Sequence, residues 1–256
     1  MFEIWDQSKA YLLGFIAADG CNEGRSISIQ ILNNDLYILE KFKDIFKEYG
    51  INCTLKKDSR YFICKNGSIH TYSRLRVYGK SIITEFNNLG IVKRKSRILD
   101  MPIIPIEYRK DFFRGYFDGN GHIFSRRKHL EIEIYSASIN FITGVKSWLE
   151  QDLKLKSKAI GKKINIFRLK LYSNEAKLFC SIIYSSNPVL YLVRKKTIYD
   201  NFKSIPNPIF WTSEQERFII NNYKSLPLEE LVSNTKKSYS AVRKKIWSLK
   251  KRYIIH

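Results

Sequence analysis

The chain has 256 residues, 44% of them hydrophobic and 14% aromatic, so it can bury a substantial core and is not a disordered segment. Its formal net charge is +21, from 45 Lys and Arg against 24 Asp and Glu, which calls for a polyanionic partner, either nucleic acid or an anionic membrane. No apolar run approaches the roughly 18 residues of a membrane span. The N-terminus, MFEIWDQSKAYLLGF, carries acids ahead of its apolar stretch and has no cleavage site, unlike a secretory signal. The expected partner is therefore nucleic acid rather than membrane, and the expected location intracellular. Cys21, Cys53, Cys64 and Cys180 form neither a CxxC pair nor a Cys/His quartet, so they read as free thiols of a reducing compartment rather than a zinc site.

Taken in order, the chain repeats itself. An apolar helix comes first and ends at Gly20. A strand follows in which Ile27, Ile29 and Ile31 alternate with Ser26, Ser28 and Gln30, the period of a sheet covered on one face. Leu39, Phe42, Ile45 and Phe46 then mark an amphipathic helix. In the strand Arg74–Tyr78, Leu75 and Val77 point inward and Arg74, Arg76 and Tyr78 outward. A helix near Ile82–Leu89 closes the unit. The stretch Asp100–Tyr108, with Pro102 and Pro105, reads as a stiff linker.

The same order then recurs. Phe113–Gly121 aligns with Leu12–Gly20 without a gap at an offset of 101 residues. Leu130, Ile132 and Ile134 oppose Glu131, Glu133 and Tyr135. Phe141, Val145, Trp148 and Leu149 mark the second amphipathic helix. In the strand after it, Leu169 and Leu171 point inward and Arg168, Lys170 and Tyr172 outward. A helix near Glu175–Tyr184 follows, and Val193–Thr197 aligns with Val92–Ser96, again at offset 101. The expected organisation is repeat one over 1–100, repeat two over 101–203 and a tail over 209–256.

In the tail, the segment 205–208 is a proline-containing linker. A helix opens with a capping box from Ser213 to Glu216 and runs to about Tyr223; Pro227 starts a second over Leu228–Val232. A third begins near Ser238, with Val242, Ile246, Leu249 and Tyr253 on one stripe. Its other faces carry Arg243, Lys244, Lys245, Lys250, Lys251 and Arg252 and no acid. This trio resembles a helix-turn-helix or Myb-like DNA-binding module.

The nonamers LLGFIAADG and FRGYFDGNG resemble the LAGLIDADG motif, once per repeat, and the element order after each resembles that family over about residues 8–202. Ala10, Gly14 and Ala18, and likewise Gly115 and Gly119, recur every four residues, which lets two helices touch closely. The resemblance implies an α+β monomer in which two pseudo-symmetric halves form an antiparallel β-saddle with helices behind it. Its activity would be Mg²⁺-dependent hydrolysis of double-stranded DNA at a long specific site, the work of an intron-encoded homing endonuclease. It further implies metal binding at the motif ends, by Asp19 and Asn120 with the backbone of Ala18 and Gly119. Lys95 in repeat one, and Lys195 or Lys196 in repeat two, would stand near the scissile phosphates. The outward sheet residues Ser26, Ser28, Gln30, Arg74, Arg76, Tyr78, Glu131, Glu133, Arg168, Lys170 and Tyr172 would face DNA, joined by Arg243 and Lys244 of the tail.

The second motif departs from the family pattern. Its eighth residue, the family's metal-binding acid, is Asn120, which offers a neutral oxygen in place of a carboxylate. Asp118 stands two residues earlier, about 200° around the helix, and does not substitute. Three readings stay open: an introduced Asp→Asn change, a one-acid enzyme that nicks, or a non-cleaving descendant. The last is the pattern of a transcription-regulator family that joins a LAGLIDADG-like domain to a helix-turn-helix. An intron maturase, acting on RNA, has the same charge and fold requirements.

Overall fold

The computed structural model describes residues 1–64, 66–126, 129–155, 159–185, 188–204, 211 and 213–251. It divides into two compact units, residues 1–203 and 204–256. Among the described residues no helix is long and apolar enough to cross a membrane.

The first unit is built twice. Repeat one runs α1 (Gln7–Asp19), β1 (Gly20–Asn22), β2 (Ser26–Leu32), α2 (Leu36–Glu48), β3 (Cys53–Ile63), β4 (Ile69–Tyr78) and α3 (Lys80–Asn88). Repeat two runs α4 (Arg109–Asn120), β5 (Gly121–Arg126), β6 (His129–Ser136), α5 (Ile139–Ser147), β7 (Gly161–Lys163), β8 (Ile166–Tyr172) and α6 (Ser173–Ile183), and then adds α7 (Val193–Ser204). The two antiparallel sheets have the same order, β1-β2-β4-β3 and β5-β6-β8-β7. Their inner faces pair in equivalent fashion, Ile29 opposite Leu75 and Ile134 opposite Leu169, all buried. This is the α+β, two-repeat architecture that the internal repeat and the resemblance implied.

The helices α1 and α4 lie at the centre. From Lys9 to Ala17 every residue of α1 is buried, so this helix is covered on all sides, consistent with its apolar text. The Asp6 carboxylate caps its start, accepting from the Lys9 amide at 2.8 Å. The two helices meet backbone to backbone. A Cβ added at Gly14 would lie 2.0 Å from the Phe112 carbonyl oxygen; one at Gly115 would lie 2.0 Å from that of Tyr11. These contacts exchange under the same 101-residue shift, so the pair has local pseudo-twofold symmetry. Flanking aromatic packing fills the rest, including Phe15 against Phe42 at 5.4 Å and Tyr116 against Phe141 at 4.3 Å.

Polar groups buried beneath α4 fasten the end of repeat two to it. Arg114 pairs with Asp111 at 2.7 Å and donates to the carbonyls of Ile183 and Leu190. Asp118, 1% exposed, accepts from the hydroxyls of Tyr11 and Tyr184 and from the Leu192 amide at 2.7–3.0 Å.

Two details differ from the sequence reading. The second amphipathic helix ends at Ser147 and continues as a π turn, Trp148–Asp152, with Trp148 stacked on Phe113 at 3.6 Å. Repeat two also gains α7, whereas the matching segment of repeat one is a 3-10 turn, Lys95–Arg97.

The second unit comprises α8 (Ser213–Asn222), α9 (Leu228–Thr235) and α10 (Tyr239–Lys251). They share a small core of Ile219, Leu231, Val242 and Leu249. Pro227 is the N-cap of α9, and Lys236, in the left-handed region, ends it. Arg243 and Lys244 are exposed on α10, while Lys245 pairs with Glu216 at 2.8 Å. The expected linker 205–208, the capping side chain of Ser213, Arg252 and Tyr253 lie outside the described residues.

The helix contact makes a direct prediction. Gly115→Ala drives a methyl into the backbone of α1 and should lower stability by more than the about 1–3 kcal/mol typical of overpacking. Urea denaturation should show a lower midpoint with an unchanged m-value; an unaltered midpoint would mean the helices do not touch at this glycine.

Candidate active centre and nucleic-acid interface

Because α1 and α4 cross at their glycines, their C-terminal ends emerge side by side. A Cβ at Gly119 would lie 2.4 Å from the Ala18 Cβ and 3.5 Å from Asp19 Oδ2. The Asn120 amide nitrogen donates a long contact, 3.5 Å, to the Ala18 carbonyl oxygen. Asp19, Asn120, Ala18 and Gly119 thus share one spot. Asp19 keeps solvent contact at the rim, yet surrounding protein desolvates its carboxyl enough to raise its pKa, opposed by the charges of Lys195, Lys95 and Arg194. Asp118 faces the other way, into the buried network under α4. Among the described residues no group of three or more His, Cys, Asp or Glu side chains stands together.

The two expected lysines both reach this centre, in different states. Lys195 is 3% exposed, and its ammonium donates to the carbonyls of Phe117, Asp118 and Gly121 at 2.6, 2.7 and 2.6 Å. An ammonium has three protons, so three such acceptors saturate it. Burial lowers its pKa to about 8, against the raising effect of Asp118. Lys195 therefore acts as a C-terminal clamp on α4, satisfying carbonyls that a helix end leaves open. Lys196 instead pairs with Asp200 at 2.5 Å. Lys95 is 5% exposed, and its ammonium makes no hydrogen bond or ion pair among the described residues. Burial lowers its pKa, offset by Asp19. With Asn120, Tyr116 and Ser136 it lines a cleft of about 180 Å³.

The outward sheet faces are already wired. On sheet one, Ser26 and Ser28 are buried and donate to Glu23 at 2.8 and 2.9 Å, and Arg76 approaches the same carboxylate at 3.5 Å. These hydroxyls, expected to meet DNA, are thus covered by Glu23, which the sequence reading missed because it lies in the loop before the strand. Arg74 donates to Gln30 at 3.3 Å, and the Tyr78 hydroxyl lies 3.3 Å from that of Thr54. Register adds two cations to this face, Lys56 opposite Arg74 and Arg60 opposite Tyr72. A β-bulge between them, with Asp58 in the left-handed region, breaks the period-two signal that would have revealed them. On sheet two, Lys170 pairs with Glu131 at 2.9 Å and with Glu133, Arg168 pairs with Glu133 at 3.3 Å, and the Tyr135 hydroxyl donates to Glu133. The Lys170 ammonium lies 5.7 Å from the Tyr172 ring.

Two copies of one helix-and-sheet unit, joined through a glycine-lined helix pair, define the LAGLIDADG class of fold. The LAGLIDADG-like domain family model matches residues 6–90 and 107–184, well over half of the chain, and the chain belongs to this family. Among curated proteins, a probable translation initiation factor IF-2 of Methanocaldococcus jannaschii is 30% identical over 141 residues, covering 53% of this chain and 11% of that protein. The chain thus spans about a tenth of that relative's length. Among solved structures, the homing endonuclease I-WcaI bound to its DNA recognition sequence gives a TM-score of 0.51 at 14% identity, covering 76% of this chain and 88% of that one. The N-terminal LAGLIDADG domain of DUF199/WhiA gives 0.49 at 16% identity, covering 71% and 83%.

The two lysines should separate by experiment. Lys195→Met leaves three buried carbonyls and the Asp118 carboxylate without their cation, and should cost about 3 kcal/mol or more of folding stability. Lys95→Met removes no hydrogen bond to the described residues and should change stability by less than about 1 kcal/mol. Thermal unfolding of both variants checks this; equal losses would show that Lys195 is not a clamp.

Proposed function

We propose that this chain is a sequence-specific endonuclease for duplex DNA whose centre carries one acid instead of two, so that in this sequence it cuts one strand. The observation that carries the reading is the convergence of Asp19 and Asn120 at the paired ends of α1 and α4. The +21 charge and the cationic outward face of sheet one supply the affinity for a polyanion.

The donors at the centre are all oxygens: the Asp19 carboxylate, the Asn120 amide oxygen and the backbone of Ala18 and Gly119. Such a set suits Mg²⁺, which accepts one or two carboxylates and completes its shell with water and substrate phosphate. A single carboxylate fits one ion, where a two-acid centre would fit two. When bound, Mg²⁺ would lower the pKa of its water and polarise the phosphate. Asp19 would anchor that ion. The Lys95 ammonium, which lines the cleft beside Asn120, would stabilise charge developing on the phosphate. Asn120, being neutral, gives the other strand no equivalent.

The non-cleaving regulator is the second reading, favoured by one observation: Lys95 and Lys195 both stand near the lone Asp19 carboxylate, so the centre's own charge is positive and repels a cation. The tail would extend the DNA contact as a helix-turn-helix, with Arg243 and Lys244 outermost on α10.

Two experiments test these roles. With Mg²⁺ and plasmid carrying the bound site, the chain should relax supercoiled DNA but linearise little of it. Asn120→Asp should then linearise it, and Asp19→Asn should abolish nicking while DNA binding persists. Full double-strand cutting by the unaltered chain would place Asn120 outside the metal site, and an Asn120→Asp protein that binds yet never cuts would favour the regulator. Separately, a chain ending at Lys203 should unfold cooperatively and bind duplex DNA weaker by on the order of tenfold or more; unchanged affinity would remove the tail from the interface.

A further inference from the structure

The two sheets present unequal chemistry on their outward faces. On sheet one the described charged side chains are Lys56, Arg60, Arg74 and Arg76, with Glu23 as the single acid, and only Arg76 contacts it. Lys56, Arg60 and Arg74 therefore project positive charge with no acidic partner among the described residues. On sheet two, Arg168 and Lys170 are held by Glu131 and Glu133, and Lys163, opposite Ile166 in the ladder, is a cation left over among the described side chains. Glu133 is 6% exposed and accepts from Lys170, Arg168 and Tyr135 at once, which keeps its carboxyl pKa below the usual range. The salt bridges therefore cancel the sheet-two charge locally, while sheet one keeps its own.

Resting on the reading of the saddle as a DNA-binding surface, we propose that the two repeats divide recognition. Sheet one supplies phosphate-driven, sequence-tolerant affinity through Lys56, Arg60 and Arg74. The Glu131–Lys170–Glu133–Arg168 cluster of sheet two reads G·C pairs. An unpaired cation gains by displacing counterions from phosphates, and each such contact steepens the salt dependence of binding. A cation already neutralised by carboxylates gains little from a phosphate. Its fixed position suits a base edge instead. In the major groove a guanine offers two acceptors to Arg or Lys and a cytosine offers an amino donor to Glu. Alternating carboxylates and cations match that donor–acceptor pattern. Glu133 also has a negative role, since it withholds Arg168 and Lys170 from phosphates of any sequence.

The full chain provides the test, with a random-sequence 30-bp duplex as the non-specific probe and selection from a randomised duplex pool as the specific one. On the random duplex, Arg60→Gln and Arg74→Gln should each reduce the slope of log affinity against log salt by about 0.9, and Lys170→Gln should leave it unchanged. Glu133→Gln frees Arg168 and leaves Lys170 on Glu131 alone, so it should steepen that slope and raise non-specific affinity at low salt by about threefold or more, a gain that mere structural damage would not give. In the selected pool, Glu133→Gln should lose a G·C preference of about tenfold at the positions it governs, the ratio expected for a good base contact, while Arg60→Gln keeps it. Thermal melts confirm that each variant is folded. A slope loss for Lys170→Gln equal to that for Arg60→Gln, or a selected sequence unchanged by Glu133→Gln, overturns the division. Absence of binding to any duplex by the unaltered chain would instead defeat the DNA-binding reading itself.

Discussion

The structure depends on one contact, the backbone-to-backbone meeting of α1 and α4. Gly14 faces the Phe112 carbonyl and Gly115 faces that of Tyr11, with no room for a side chain at either point. That closeness places the two helix ends together, and everything at the candidate centre follows from it. Were the helices separated by ordinary side chains, at the usual axis spacing of about 8–10 Å, Asp19 and Asn120 would not share a site. Each sheet then springs directly from its helix end, β1 from Gly20 and β5 from Gly121, so the saddle inherits the helix symmetry.

Close helix packing leaves little apolar contact at its closest points, and the buried polar groups of α4 add what is missing. Asp118, Arg114 and Lys195 make their hydrogen bonds with the chain between Ile183 and Leu192, with Tyr11 and Asp111, and with carbonyls at the end of α4 and the start of β5. Satisfied networks of this kind fix one arrangement, because any partial opening strands a charge in a low-dielectric interior. Repeat one has no counterpart, since Ala17 stands where repeat two has Asp118. Its closing turn leaves the Lys95 ammonium without a hydrogen-bond partner among the described residues. The repeats thus share a backbone but not a charge pattern.

This explains what the sequence disclosed. Two apolar nonamers with small residues every fourth position, each followed by period-two strands, specify the helix pair and the inner sheet faces almost residue by residue. That Ile29, Leu75, Ile134 and Leu169 all face inward follows from alternation alone. Outer-face chemistry was less legible. Lys56 and Arg60 hide behind a bulge, and Glu23 acts from a loop. The repeat offset aligns Lys95 with Lys196, yet Lys195 is the one that turns inward. Repeat two continues as a helix where repeat one makes a 3-10 turn, which shifts the inward position by one residue. Local alternation records which face is buried, but not which partner a charged side chain meets across the fold.

The centre shows how a single substitution can be absorbed. At the meeting point the Ala18 carbonyl oxygen faces residue 120. An amide can donate to that oxygen, as Asn120 does at 3.5 Å. A carboxylate in the same place would set one acceptor against another, and only a bridging cation would make the arrangement favourable. Asparagine therefore lets the helix ends close on each other without a metal, while an acid there would need one. The two buried lysines push in the same direction, since each adds positive charge near the Asp19 carboxylate. Stability of the paired helix ends and affinity for a second cation are, at this position, opposing demands. Asn120 satisfies the first, while Asp19 stands at the rim with solvent access on the other side of the helix pair.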